Sequence, residues 1–184
     1  MSIPAQFQLH KVTDDIVAKM CGLCDQIERG FETGDDIQHL LDEWHLHANR
    51  RCEQHEFENY WRSIDKEEFV RDALNPEPRY SDDVRYADAL AILDAVVSAD
   101  LGENETTYYV GWLEAQFPNA NFNDLIYWPD EWFADASLFR DSNGAFKPDA
   151  ELSNEQILAY AMLKSGRLLP DRPLSVDLPF QAPT

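Results

Sequence analysis

Residues 81–101 read SDDVRYADALAILDAVVSADL, and this stretch decides the fold class. Its apolar side chains cover more than half of a helical circumference, which predicts a central, buried helix. These side chains are Val84, Ala87, Leu90, Ala91, Ile92, Leu93, Val96 and Val97. Ser81, Asp82 and Asp83 provide a helix start, and Gly102 provides a stop.

The same helical spacing recurs toward the N-terminus. A first helix is predicted between a Thr13 cap and a Gly30 stop, with an apolar stripe of Ile16, Met20, Leu23 and Ile27. A second helix is predicted to begin near Thr33 or Asp35, with one face made of Ile37, Leu40, Leu41, Trp44 and Ala48. A capping box at Asp65–Glu68 starts a third, which Asn75-Pro76-Glu77-Pro78 ends.

Three more helices are predicted toward the C-terminus. They run from Glu105 to Phe117, from Pro129 to Phe139, and from the Ser153 cap to Gly166. Residues 118–128 resemble an ordered loop, with a brief extended piece at Leu125–Trp128 as the alternative.

Together these patterns predict an all-α protein of about six or seven helices. Residues 1–184 are expected to form a single compact helical domain, with a possible subdivision at 75–80. Residues 170–184 contain four prolines and are expected to form an extended tail along the surface or at a small sheet edge.

Composition excludes several classes of protein. Lys and Arg number 15 against 35 Asp and Glu, and the formal net charge of −20 disfavours direct binding to nucleic acid or to a membrane surface. A hydrophobic content of 44% argues against a disordered acidic tail. No apolar run is long enough for a membrane span, and no secretory signal is recognised. With three cysteines in all, we expect a reducing compartment, namely the cytoplasm.

The N-terminal cysteines and histidines raise the alternative of a zinc-binding hydrolase or metalloprotein. The candidate ligands are Cys21, Cys24, His45, His47, Cys52 and His55. His45 and His47 are two residues apart, so on one helix they point roughly 200° away from each other and could not share a metal unless the helix ended there. We therefore favour two small, buried or half-buried cysteines and exposed histidines on a polar helix face. No catalytic residue, metal ligand or cofactor is predicted, since no phosphate loop or nucleophile motif occurs.

Positive charge is missing from residues 86–139, which contain no Lys or Arg. They hold half of the aromatic residues and ten acids, namely Asp88, Asp94, Asp100, Glu103, Glu105, Glu114, Asp124, Asp130, Glu131 and Asp135. Either the aromatics fill a core beneath a solvated acidic face, or exposed rings and acids together form a docking surface.

The docking interpretation predicts an acidic module that binds and neutralises a basic protein. A bacterial immunity protein or antitoxin acting on a cationic toxin, such as a nuclease, is its most concrete form, with a DNA mimic as a variant. The predicted partner-binding residues are Tyr127, Trp128, Asp130, Glu131, Trp132 and Asp135. A regulatory or scaffold subunit of a larger complex is the second alternative.

Overall fold

The computed structural model describes residues 2–183, and over that range it contains ten α-helices and no β-strand. The all-α class predicted from the apolar periodicity is therefore confirmed, whereas the predicted count of about six or seven helices is too low. The described chain divides into two compact units. Leu9–Glu77 forms one of them, and residues 2–8 together with 78–183 form the other.

Four helices build the Leu9–Glu77 unit. They are α1 (Asp14–Thr33), α2 (Gln38–His47), α3 (Gln54–Asn59) and α4 (Lys66–Leu74), with a 3₁₀ turn at Tyr60–Arg62. Helix α1 packs against the other three. The core is rich in aromatic rings, and Phe69 stacks on both Trp44 and Tyr60. Offset and edge contacts of this kind add to the stabilisation from burial.

The end of α1 differs from the prediction. The helix continues through Gly30 and ends at Thr33, because Gly34 takes the left-handed conformation that closes a helix. Gly30 has a different role: a Cβ atom at this position would lie 2.2 Å from Cγ2 of Ile37. The glycine therefore allows the chain after α1 to cross close to the helix.

Capping chemistry sets the next boundaries. Helix α2 begins at Gln38, three residues after Asp35, and Asp36 accepts a hydrogen bond from the Gln38 N–H. Glu53 and Glu56 form a capping box that makes α3 a separate short helix. The Asp65 cap is present, since its side chain accepts from the Glu68 N–H at 2.9 Å.

Six helices build the other unit. They are α5 (Tyr86–Val97), α6 (Glu103–Gln116), α7 (Phe122–Tyr127), α8 (Pro129–Trp132), α9 (Ala136–Phe139) and α10 (Asn154–Ser165). Helix α5 packs against α6 and α10, and α7 contacts α6, α8 and α10. 3₁₀ turns occur at Ala5–Phe7 and Pro148–Ala150.

Helix α5 is shorter than its apolar pattern predicts. It begins after Arg85, whose N–H donates to the Asp88 carboxylate, and it ends at Val97 before Ala99 turns the chain with a φ of 56°. Gly102 is thus not the stop of this helix but the N-cap residue of α6.

Two local predictions after α6 are also corrected. Residues 122–127 are helical, and not the predicted ordered loop or its alternative, an extended piece, because Asn121 caps α7 and places Phe122 and Leu125 in the core. The helix predicted over 129–139 is divided into α8 and α9 by Ala134, which has a φ of 53°. The last helix follows the prediction, with Ser153 and Gln156 forming a capping box and Gly166 at the C-cap.

Residues 170–183 contain no helix or strand. The phenyl ring of Phe180 packs on Phe133 and Phe139, and its carbonyl accepts a 2.7 Å hydrogen bond from the Tyr160 hydroxyl. Gln156 donates to the carbonyl of Asp177. These contacts join the end of the chain to α10, and residues 2–183 offer no sheet edge for it to extend. None of the helices described has the length and apolar character required to cross a bilayer.

Candidate partner-binding site

The junction between α7 and α8 holds an exposed tryptophan on a fixed backbone. The Trp128 N–H donates to the Asp124 carbonyl at 2.8 Å and ends α7. The Trp128 carbonyl accepts from the N–H groups of Glu131 and Trp132 at 2.9 and 3.0 Å and starts α8. Trp128 is 48% exposed, and the preceding Tyr127 is 43% exposed.

Four of the six predicted partner-binding residues lie at the surface and two do not. Tyr127, Trp128, Glu131 and Asp135 are exposed, and we call this group the Trp128 surface. Trp132 and Asp130 are buried, with 9% and 8% exposure. The expectation that these two side chains are available to a partner is therefore corrected.

Trp132 is a core residue. Its Nε1 donates to the carbonyl of the buried Ala120 at 2.6 Å, and its ring packs against Phe133 and Tyr160. Trp128 does not share that environment: its φ of −136° lies outside the helical range, and it is 48% exposed where Trp132 is 9% exposed.

The negative charge of the buried Asp130 is balanced by Arg140. Its Oδ2 lies 2.5 Å from Nε of Arg140, and the two side chains are 9% and 29% exposed. The hydrogen bond from Arg140 lowers the pKa of the Asp130 carboxyl below its ordinary value. Arg140 also donates to the Gly144 carbonyl and lies over the Phe146 ring, 4.1 Å from its centroid. This carboxylate therefore supports the turn at 140–146 and adds no charge to the surface.

Asp135 combines a structural and an electrostatic role. Its Oδ1 accepts from both the N–H and the hydroxyl of Ser137, at 3.0 and 2.6 Å, which caps α9. The side chain is nevertheless exposed, as is that of Glu131. Both carboxylates contribute to the field that an approaching cation would meet.

The acids of residues 86–139 are largely available to solvent. Asp100, Glu103, Glu105, Glu131 and Asp135 are exposed, and Asp88, Asp94, Glu114 and Asp124 are half-buried. Within residues 2–183, Asp130 is the one member of the ten that lies in an ion pair. The local excess of negative charge is thus hardly compensated by cationic side chains.

An apolar groove adjoins the Trp128 surface, and Tyr127 belongs to both. The groove has a volume of about 340 Å³. Its walls come from separated segments and include Val97, Ile126, Tyr127, Phe139, Phe146 and Ile157. Sequence reasoning missed it because these segments are up to 60 residues apart and no local pattern marks them.

The cysteines and histidines of the zinc alternative do not assemble. Burial raises the pKa of the Cys24 thiol to about 12 and that of Cys52 to about 11, so in the metal-free protein both are protonated at neutral pH. His45 contacts the backbone of Cys52, and Nε2 of His47 lies 2.8 Å from Nζ of Lys19. No group of three or more ligands suited to a metal ion occurs in the part of the chain that the structure describes.

Comparisons with models of known protein families, with curated proteins and with solved structures gave no match. No residue role is therefore carried over from another protein. Three physical features of the described chain bear on its function: the exposed rings, the acids outside ion pairs and the groove.

Proposed function

We propose that this chain is an acidic protein-binding module that docks on a basic partner protein through the Trp128 surface. In its most concrete form it neutralises a cationic toxin, as a bacterial immunity protein or antitoxin does. The observation that carries the proposal is the exposed indole of Trp128, held between two helix ends and followed by the exposed acids Glu131 and Asp135.

The rings of this surface have the properties of binding hot spots. Tryptophan and tyrosine contribute large contact areas with few rotatable bonds, and they dominate the energy of many interfaces. Because hydrogen bonds on both sides fix the backbone of Trp128, little backbone conformational entropy is lost when a partner covers the ring. Preorganisation of this kind favours tight binding from a small area.

The acidic residues make the surface selective for a cationic partner. Ten acids without a single Lys or Arg occur in residues 86–139, and nine of them reach solvent at least in part. Such a field accelerates encounter with a cationic protein and rejects an anionic one. It also makes the association rate fall as salt is added, because the Debye length is only about 8 Å at physiological ionic strength.

A cytoplasmic location belongs to the proposal. All three cysteines are free, and two of them are buried. Free buried thiols are typical of proteins that function in a reducing compartment.

The proposal is tested by capture from a lysate of the native host. The immobilised protein is loaded at low salt, eluted with a salt gradient, and the retained proteins are identified by mass spectrometry. We expect a basic protein that elutes as salt rises and that is not retained by a Trp128→Ala/Glu131→Gln variant. A Trp61→Ala variant is the matched control, because Trp61 is 64% exposed and lies in the Leu9–Glu77 unit.

A growth assay then separates the toxin form from the alternative. Expression of the captured partner alone should arrest growth, and co-expression of this chain should restore it. A basic partner without toxicity would favour a regulatory or scaffold subunit instead. If the Trp128→Ala/Glu131→Gln variant retained the partner as well as wild type does, the proposed binding surface would be contradicted.

A further inference from the structure

We infer that the groove beside the Trp128 surface receives one large apolar side chain of the partner, carried on a segment rich in Lys and Arg. This inference rests on the proposed function and adds the chemistry of the bound segment: an aromatic or long aliphatic side chain with cations on either side.

The dimensions of the groove suit a side chain. Its volume of about 340 Å³ exceeds the roughly 150 Å³ in which a benzene ring can be bound, so an indole or a leucyl group has room. Val97, Tyr127 and Phe146 line it and are themselves 41–46% exposed. An inserted side chain would cover these three residues as well as itself, and the burial of apolar surface drives such contacts.

The polar groups of the groove select against a small polar ligand. Within the described residues its lining contains two charged side chains, Lys147 and Glu151. Nζ of Lys147 already donates to the Ser137 carbonyl at 2.7 Å. A small molecule needs several convergent polar groups to fix its orientation, whereas a protein side chain is oriented by the rest of its partner.

The charges around the groove favour a cationic segment of the partner. Glu151 is exposed on the lining, and no ion pair in residues 2–183 includes it. The groove walls from α5 and α7 belong to residues 86–139, which carry ten acids and no base. The exposed Glu131 and Asp135 of the adjoining Trp128 surface, like Glu151 on the lining, take part in no ion pair in residues 2–183. A Lys or Arg beside the inserted side chain would meet these carboxylates, and an Asp or Glu there would be repelled by them.

One wall of the groove is held in place before any partner arrives. Phe146 packs on Arg140, which is paired with the buried Asp130, and the adjoining Lys147 N–H donates to the Phe139 carbonyl at 2.8 Å. The Asp141 carboxylate closes the intervening turn by accepting from the N–H groups of Asn143 and Ala145. A preformed groove reduces the entropic cost of inserting a side chain.

The test uses three fluorescein-labelled peptides of equal length and the full chain. The first has a central Trp among Lys and Arg residues, the second has Ser in place of the Trp, and the third keeps the Trp among Gln and Ser residues. We expect fluorescence anisotropy at low salt to give a Kd for the first peptide about tenfold below that of either other peptide.

Two changes in the groove identify the site of insertion. Val97→Trp fills the groove and should abolish the difference between the Trp and Ser cationic peptides. The matched control is Leu163→Trp, because Leu163 is also an exposed aliphatic residue (55%) of the same unit but does not line the groove. Phe146→Ala removes an exposed part of the groove wall. It should raise the Kd of the cationic Trp peptide at least about fivefold and change the Kd of the cationic Ser peptide little.

The carboxylate at the rim is tested separately. Glu151→Gln should raise the Kd of both cationic peptides about twofold to fivefold. Asp82→Asn, which changes an exposed acid outside the groove lining, should raise these Kd values less. Thermal unfolding of each variant verifies that it is folded.

The outcomes separate the inference from the proposal on which it rests. Equal affinity for the Trp and Ser cationic peptides, or a preference that survives both Val97→Trp and Phe146→Ala, overturns the groove inference and leaves a charged docking surface intact. A neutral Trp peptide that binds as tightly as the cationic one contradicts the proposed preference for a basic partner.

Discussion

Oδ2 of Asp130 lies 2.5 Å from Nε of Arg140, and this pair joins the start of α8 to the turn that carries Phe146. Asp130 and Glu131 are adjacent in sequence but have opposite roles. The first carboxylate is buried and paired, and the second is exposed. Neighbouring acids of the same segment therefore divide between holding the fold and forming its surface.

Asp130→Asn should destabilise the protein by about 2–3 kcal/mol, because it leaves the guanidinium of Arg140 partly buried without its counter-charge. Glu131→Gln is the matched control and should change the free energy of unfolding by less than about 0.5 kcal/mol. Urea denaturation with linear extrapolation measures both. Equal effects of the two changes would show that the Asp130–Arg140 pair has no special role in stability.

The pH dependence of the same variant has a defined sign. The pKa of Asp130 is lowered by the hydrogen bond from Arg140, whereas the pKa of an Asp in an unfolded chain is about 3.9. The stabilisation is therefore complete above that value and is lost as the pH falls through the lower pKa of the folded state. The difference in unfolding free energy between wild type and Asp130→Asn should shrink from pH 6 to about pH 3. A constant difference over that range would contradict this assignment.

Replacement of Trp132 and of Trp128 by Phe should change the free energy of unfolding to different extents, because Trp132 lies in the core and Trp128 at the surface. Trp132→Phe removes the donor to the buried Ala120 carbonyl and should cost about 1–3 kcal/mol of unfolding free energy. Trp128→Phe exchanges one half-exposed ring for another and should cost less than about 0.5 kcal/mol. If the order of the two effects were reversed, Trp128 and not Trp132 would be the structural residue.

Two glycines of α1 should respond to alanine in opposite directions. At Gly22 no atom lies within 4 Å of an added Cβ, so Gly22→Ala should stabilise the helix by up to about 1 kcal/mol. At Gly30 the added atom would lie 2.2 Å from Cγ2 of the buried Ile37, and Gly30→Ala should destabilise by about 1–3 kcal/mol. Thermal unfolding compares them directly, and a stabilising Gly30→Ala would contradict the close crossing after α1.

The thiols should differ in reactivity. Burial raises the pKa of Cys24 to about 12 and that of Cys52 to about 11. Both should react with a disulfide reagent at neutral pH at least about 100-fold more slowly in the native protein than in urea. Cys21 is half-buried and should react first. Three fast thiols in the native protein would contradict the burial of Cys24 and Cys52, whereas zinc that has to be removed before any thiol reacts would support the metalloprotein alternative.

Local chemistry made much of the helical framework predictable. The Asp65 and Ser153 caps depend on residues within one turn, and both form as expected. Gly30 was misassigned as a stop because its actual constraint comes from Ile37, a contact across a turn that no helix signal records. The helix at 122–127 was missed because it depends on the left-handed conformation of Asn121.

The candidate site was predictable only in part. An acidic, aromatic segment can be read from composition, and Tyr127, Trp128, Glu131 and Asp135 are indeed exposed. The burial of Trp132 and Asp130 follows from tertiary partners, Ala120 and Arg140, and the groove follows from segments distant in sequence. Helix α8 has only four residues, which is too few for a hydrophobic periodicity to distinguish its buried face from its exposed face.

The most direct test of the docking surface is the affinity of the captured basic partner for wild type, Trp128→Ala and Trp61→Ala, measured by calorimetry at low and at physiological salt. We expect Trp128→Ala to raise the Kd at least about tenfold and Trp61→Ala to leave it unchanged. All three proteins should bind more weakly as salt increases. Equal affinity of the Trp128→Ala variant and wild type would contradict the proposal that this surface binds the partner.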